Sequence, residues 1–341
     1  MMKKYLNKSL FYQGDANIFI PLCIVYIAAF ILTLISVNNF FTYDIRQYLY
    51  NPINIRYVFS IDGIIILGAY ISIIYIITVG IFKRKKWSTF LSGPFSRMDI
   101  RIRELIIIVM SVFIYIIIFL AIIFKNYIQY YDTLKYINDF NIIILFDILR
   151  IISISTLIIG ILSILDTVFA NLYYLICAGI FSFLYLVFLM VNYNPILSYY
   201  INGQVYGLRY IYNGLMEYIG AYTIGNVISS FQIICISSFL IIIGLVLIFI
   251  SKLLTNRMLV ENMNEGIIFD FPKKLSCFII ITFVGIASAP FISSVLDEIY
   301  FRYSLGEYEL VLLRTAIIVV VSIIAYFVFR NFKKEKKDVY Y

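Results

Sequence analysis

Asp147, Arg150 and Arg314 are charged residues inside long apolar segments, where a charged side chain is costly and is usually functional. Asp147 and Arg150 are three positions apart in the segment 142–164, and Arg314 lies in the segment 310–329. Residues three apart share one face of a helix, so this aspartate and arginine can form an ion pair. Substrate or ion binding is the alternative role. The spacing favours a structural pair, with Arg314 extending toward water.

A basic segment, 83–104, has the residues for binding a partner. Its sequence is KRKKWSTFLSGPFSRMDIRIRE. Gly93 and Pro94 interrupt a helix, and Ser96 followed by Asp99 is a capping box that starts another. We expect a short broken helix with an exposed apolar cluster ringed by arginines, formed by Phe90, Leu91, Phe95 and Ile100 with Arg97, Arg101 and Arg103. Such a cluster contacts lipid or a protein, and a simple headgroup anchor stays open.

Several chemistries are excluded by residue type. The chain has no histidine, so it cannot by itself form a Ser/His/Asp triad or a histidine-ligated zinc site. Its four cysteines, scattered through apolar segments, form no metal or redox motif. No Gly-Lys dipeptide is present, so the phosphate-binding loop of an ATPase is missing. We expect no metal site, no cofactor and no enzymatic activity in this chain.

The composition indicates a polytopic membrane protein. Of 341 residues, 63% are hydrophobic and only 13% are charged. The apolar runs are about 20 residues long, enough for a helix to cross a hydrocarbon core of roughly 30 Å. They are too continuous for the alternating strands of a β-barrel. The sequence therefore predicts an all-α fold with eight spans, at 18–37, 61–82, 105–124, 142–164, 170–191, 226–250, 275–294 and 310–329.

The positions of the basic residues predict the orientation. With both termini in the cytoplasm, nineteen of the 27 Lys and Arg residues fall on the cytoplasmic side and six on the outside. The segment 83–104 is then cytoplasmic. The net charge of +8 is explained by this bias and by anionic lipid, so we expect no nucleic-acid partner. The outside stretch 195–223 is rich in Gly and Tyr and favours short interfacial or re-entrant helices over an ordinary loop.

The segment TFLSGPFSRMDIRIRE resembles the stretch after the second span of type-2 ATP-binding-cassette (ABC) permeases. The matching positions are Leu91, Ser92, Pro94, Ser96, Arg97 and Ile100, with Arg103 near the usual basic position. Gly93 replaces a commoner aliphatic residue. In that family the stretch forms a coupling helix that docks on the ATPase subunit. The resemblance implies an ATPase-coupling role for Phe90, Leu91, Pro94, Phe95, Ser96, Arg97, Ile100, Arg101 and Arg103.

A second likeness concerns the cytoplasmic link Asn256–Lys274. Its sequence, NRMLVENMNEGIIFDFPKK, is similar to a link in a Firmicutes subgroup whose permeases carry two spans after the sixth. This resemblance implies a six-span permease core over 1–250, with the coupling segment 83–104 and the re-entrant region 195–223. It assigns 251–341 to a cytoplasmic link, two further spans and a basic tail.

The resemblance implies the membrane subunit of a bacterial ABC transporter in the cell membrane. Its partners would be a separate ATPase that binds ATP and Mg²⁺, a second permease that is identical or a paralogue, and membrane lipids. Export of an amphiphilic peptide, lipid or drug-like compound is the implied activity. Two other classes stay open: an ATP-independent secondary carrier, for which Asp147 would be the coupling acid, and a noncatalytic membrane sensor or assembly module.

Overall fold

The structure is a computed structural model that describes residues 19–44, 58–80, 97–135, 140–169, 172–202, 218, 230–257, 269–300 and 307–338. In these ranges the chain is helical. The eight long helices are α1 Phe19–Asn39, α2 Ile61–Tyr75, α3 Arg97–Gln129, α4 Phe140–Val168, α5 Leu172–Asn202, α6 Ser230–Arg257, α7 Asp270–Tyr300 and α8 Glu307–Asp338. Helices α1 and α2 each continue into a π-helical turn, and the short helix Tyr131–Leu134 follows α3.

All eight helices contain a stretch long and apolar enough to cross a membrane. One such stretch overlaps each of the eight spans predicted from the sequence, so the all-α, eight-span prediction is confirmed and the chain is a multi-pass membrane protein. Many large apolar side chains on these helices are exposed in the isolated chain, among them Ile24, Phe124 and Met190. In a membrane such side chains can contact lipid tails without a free-energy cost, because lipid hydrocarbon is as apolar as they are.

The chain divides into two compact units. The first comprises Met1–Thr167 and Asn213–Met258, and therefore contains α1 to α4 and α6. The second comprises Val168–Tyr212 and Leu259–Tyr341, which contain α5, α7 and α8. Packing thus groups α5 with the two last helices, whereas the sequence division at residue 250 separates them. That division came from family resemblance and stays a prediction.

Aromatic side chains with satisfied hydroxyl groups hold α1, α2 and α3 together in the first unit. The Tyr70 hydroxyl donates to the Ser111 carbonyl oxygen over 2.7 Å, and the Tyr26 hydroxyl is 2.9 Å from the Ser111 hydroxyl. Tyr115 is fully buried and accepts a hydrogen bond from Thr33. Since apolar burial gives little driving force inside a membrane, such bonds and close packing fix the helix positions.

Helix α3 corrects one expectation about the basic segment. The sequence predicted a short helix that begins after Ser96 and a third span that begins at residue 105. The helix does begin after Ser96, at Arg97, but it is not short. Instead, one helix runs from Arg97 to Gln129, a length of 33 residues. The polar residues between 97 and 104 hid this continuity, because a hydropathy pattern starts a span only where polar residues end.

Two glycines bring α4 and α6 into backbone contact. A Cβ atom placed on Gly160 would lie 2.7 Å from the Gly244 carbonyl oxygen, and one placed on Gly244 would lie 2.6 Å from the Thr156 carbonyl oxygen. Both distances are shorter than any normal Cβ contact. Only glycine therefore permits this crossing, a common device of membrane helices.

The second unit is a three-helix bundle of α5, α7 and α8. Phe283 on α7 packs against Phe181, Tyr185 and Phe188 on α5, with the Phe181 ring centroid 4.6 Å away. A Cβ atom on Gly285 would lie 2.6 Å from the Ile318 carbonyl oxygen, so α7 and α8 also meet at the backbone.

The predicted re-entrant region 195–223 is described in part. Helix α5 continues through Pro195 to Asn202, so the first residues of the region extend a long helix. Tyr218 is buried within the first unit. Residues 203–217 and 219–229 lie outside the described residues, and the prediction of re-entrant helices falls on them.

Candidate functional site

The predicted pair of Asp147 and Arg150 is present and buried. The Arg150 Nη1 donates to Asp147 Oδ1 over 2.8 Å, and the two residues are 2% and 0% exposed. The other carboxylate oxygen of Asp147 accepts from the backbone amides of Val58 and Phe59, at 2.7 Å and 3.0 Å. Asp147 thus connects the residues just before α2 to α4.

Arg150 extends the same cluster toward Tyr218. Its Nε and Nη2 both donate to the Tyr218 carbonyl oxygen, at 2.9 Å and 2.6 Å. The Tyr218 hydroxyl lies 2.6 Å from the Ser153 hydroxyl and 2.8 Å from that of Ser237 on α6. We call Asp147, Arg150, Tyr218, Ser153 and Ser237 the Asp147 cluster. Because its charges are satisfied internally, the geometry favours the structural interpretation over substrate binding.

A second buried ionic cluster lies at the other end of α4. The Arg101 Nη1 donates to Asp166 at 2.5 Å and to Glu104 at 3.3 Å. Its Nη2 donates to the Ser163 carbonyl oxygen at 2.9 Å and to the Ser251 hydroxyl at 3.0 Å. We call these five residues the Arg101 cluster. It connects the start of α3 to α4 and α6 through one guanidinium group.

The Arg101 cluster corrects the expectation of an exposed basic ring. Arg101 and Arg103 are only 4% and 6% exposed, so these two side chains do not form part of a free surface of this chain. The physical reason for the burial of Arg101 is that the carboxylates of Asp166 and Glu104 compensate its charge where it is out of contact with water. Arg97 and Ile100 belong to the first turn of α3. The predicted residues Phe90, Leu91, Pro94, Phe95 and Ser96 lie outside the described residues.

Arg314 is held differently from Arg150 and Arg101, which are each paired with a carboxylate. Its Nε donates to the Ser293 hydroxyl over 3.2 Å, and its Nη1 donates to the Val191 carbonyl oxygen over 3.0 Å. Both partners are neutral, and the side chain is half-buried. Among the described residues, no carboxylate lies within ion-pair distance of this guanidinium.

Metal-binding groups are not assembled in the described part of the chain. No three residues of the types His, Cys, Asp and Glu come together there. The four cysteines are free thiols on exposed helix faces.

Comparisons with known proteins add no relative. No protein-family model matches the sequence, and neither the curated proteins nor the solved structures contain a match.

Two contributions to these clusters were missed by reasoning from sequence. Asp166 was not identified as the partner of Arg101, which lies 65 residues away. Tyr218 was not distinguished within the stretch 195–223, for which interfacial or re-entrant helices were predicted. The available signal for Asp166 was an acid at the end of a span that is predicted to be cytoplasmic, on the same predicted side as the arginines that precede the third span.

Proposed function

We propose that this chain is the membrane-spanning permease subunit of an ATP-driven ABC transporter in the bacterial cell membrane. A separate ATPase would act on it from the cytoplasm, and a second permease would complete the transporter. The observation that carries the proposal is the continuity of α3, whose first residue, Arg97, is also part of the motif that resembles a coupling segment.

The length of α3 suits the transmission of a movement from outside the hydrocarbon. A helix of 33 residues is about 50 Å long, well above the roughly 30 Å of the hydrocarbon core. Residues 97–100 precede the apolar stretch, which begins at Arg101, so we place the first turn of α3 outside the core. Because the helix is unbroken, a displacement of residues near Arg97 is carried into the span.

The Arg101 cluster distributes that displacement to other helices. Arg101 lies four residues, about one turn, after Arg97 and bonds directly to Asp166 on α4 and Ser251 on α6. Ordered ion pairs between helices resist small independent shifts, so α3, α4 and α6 respond together. This is the mechanical property that a coupling segment needs.

The energy source and cargo follow from the resemblance. ATP and Mg²⁺ would bind the partner ATPase, since this chain has no phosphate-binding loop. ATP binding would move the coupling segments and rock the paired permeases between inward-facing and outward-facing states. An amphiphilic peptide, lipid or drug-like compound, moved outward, is the proposed cargo.

The geometry of Asp147 weighs against the secondary-carrier alternative. A proton- or ion-coupling acid must release Arg150 and two backbone amides at each cycle, and each release would leave buried groups unsatisfied. The sensor or assembly alternative is compatible with the same fold. Copurification of an ATPase with this chain would distinguish the transporter from it.

Acidic substitutions in the coupling segment test the proposal. Leu91→Glu or Arg97→Glu should abolish copurification of an ATPase while the amount of permease in the membrane stays unchanged. An interface residue of this kind is worth about 2 kcal/mol, roughly thirtyfold in affinity. Lys135→Glu is the control, because Lys135 is exposed and is predicted to lie on the opposite side of the membrane.

Arg101 and Arg103 are unsuitable for this experiment because they are buried. A copurifying ATPase that both variants retain would contradict the coupling role of the segment and leave it as a lipid anchor. Absence of any ATPase from the unsubstituted complex would instead favour the carrier or the sensor.

A further inference from the structure

Arg314 stands out because its two contacts order the side chain but leave its charge uncompensated by the described residues. The guanidinium has five N–H groups, and the bonds to Ser293 and Val191 use two of them. The Asp147 and Arg101 clusters each pair their arginine with a carboxylate. A half-buried cation fixed by neutral oxygens is a binding group for an anion.

The residues around Arg314 form an ordered hydrogen-bond network at Pro290 of α7. Pro290 on α7 lacks an N–H, so the Ile286 carbonyl oxygen loses its normal helical donor. The Asn192 side chain on α5 replaces that donor over 2.8 Å and is itself fully buried. The Ser293 hydroxyl, one turn after Pro290, donates to the Pro290 carbonyl oxygen over 3.0 Å and accepts from Arg314. Three helices therefore position this one guanidinium.

The depth of the site matches the lipid headgroups. Arg314 is five residues after Glu309, where its span begins, or about 7 Å along the helix. Val191 and Ser293 lie within three residues of the ends of their spans, at Tyr193 and Leu296. Tyrosine is typical of the headgroup region, so Tyr193 marks this level.

We propose that Arg314, oriented by Ser293 and Val191, binds the phosphate group of an anionic membrane lipid. Arginine is suited to phosphate because its planar N–H groups match the phosphate oxygens in pairs. A lipid phosphate at this depth presents those oxygens while its acyl chains cover the exposed apolar faces of α5 and α8. The proposal concerns the second unit alone and does not depend on ATP-driven transport.

Lipid titration of the purified full chain tests the site. In a nonionic detergent free of phosphate, short-chain phosphatidylglycerol should raise the unfolding temperature in a saturable way. A diacylglycerol glucoside of the same chain length, which lacks phosphate, should not. Arg314→Gln should weaken phosphatidylglycerol binding by about tenfold or more, since a charge-assisted hydrogen bond is lost.

Further variants keep the test decisive if Arg314→Gln folds poorly. Arg314→Lys preserves charge but not the paired N–H groups, and Ser293→Ala removes the acceptor that orients Nε; both should weaken binding. Lys135→Gln removes an exposed positive charge elsewhere and should bind like the unsubstituted chain. Equal binding of the glucoside, unchanged affinity in all three site variants, or equally tight binding of inorganic phosphate would each overturn the assignment to a lipid phosphate.

Discussion

Asp147→Ala is expected to lower the free energy of unfolding by about 3 kcal/mol or more, as is usual when one partner of a buried ion pair is removed. The substitution leaves the Arg150 charge without its carboxylate and strips the Val58 and Phe59 amides of their acceptor. Arg150→Met should be similarly costly, because it leaves a buried carboxylate and removes both donors to the Tyr218 carbonyl oxygen. Titration with sodium dodecyl sulfate in mixed micelles measures both losses.

The double variant Asp147→Ala/Arg150→Met should be less destabilised than the sum of the two single changes. Removing both charges avoids an unpaired ion, although the two amides and the Tyr218 carbonyl oxygen stay unsatisfied. The recovery is therefore partial. Asp132 and Lys135 form a matched control, an exposed pair with the same spacing, and Asp132→Ala should cost no more than about 1 kcal/mol. Strict additivity in the buried pair would show that its members are not coupled.

Arg101→Met is expected to be the most damaging change in the second cluster. It leaves the carboxylates of Asp166 and Glu104 buried without the cation that both contact, and it also breaks the bonds to α4 and α6. We expect a loss of about 3 to 5 kcal/mol. Asp166→Asn should cost less, since Arg101 keeps Glu104 as a counter-ion. The same denaturant titration ranks the two variants.

Lys135→Met is the control for Arg101→Met, because it makes a similar chemical change at an exposed site. It should leave the unfolding free energy nearly unchanged. If Arg101→Met were as mild as Lys135→Met, the guanidinium would be hydrated rather than part of a buried cluster, and the transmission of movement from α3 to α4 would lose its basis.

The sequence determined the helices well because span length and continuity depend only on local composition. Each of the eight predicted apolar spans corresponds to a helix in the structure. The i, i+3 spacing of Asp147 and Arg150 also correctly indicated an ion pair. Both inferences use residues that are neighbours along the chain.

Contacts between distant residues could not be predicted in the same way. Nothing local distinguishes Arg101, which is buried against Asp166, from an arginine facing lipid headgroups. Likewise, the residues around Tyr218 in the sequence resemble those around a tyrosine at the membrane surface. Its burial depends on hydrogen bonds to Ser153 on α4 and Ser237 on α6. The start of α3 at Arg97 agrees with the helix predicted after Ser96. Its continuity into the third span was not predicted, because the polar first turns contact a partner that lies 65 residues away.

The two clusters occupy opposite ends of one span. Asp147 and Asp166 are separated by about 28 Å along α4, close to the thickness of the hydrocarbon core. Between them, Gly160 contacts Gly244 of α6 at the backbone. Both clusters also include a serine of α6, Ser237 and Ser251. Helices α4 and α6 are thus connected by hydrogen bonds in both clusters and by backbone contact between them. We therefore expect the two helices to move as one rigid body.

Photo-crosslinking at Phe95 tests the central claim, that an ATPase acts on the segment before α3, most directly. A photoreactive phenylalanine analogue placed there, in membranes of the native host, should form a covalent adduct with a protein that carries a nucleotide-binding motif. The same analogue at Tyr131, which is exposed and predicted to lie on the other side, should not. Adducts with lipid alone at Phe95, or equal capture of the ATPase at Tyr131, would contradict the account.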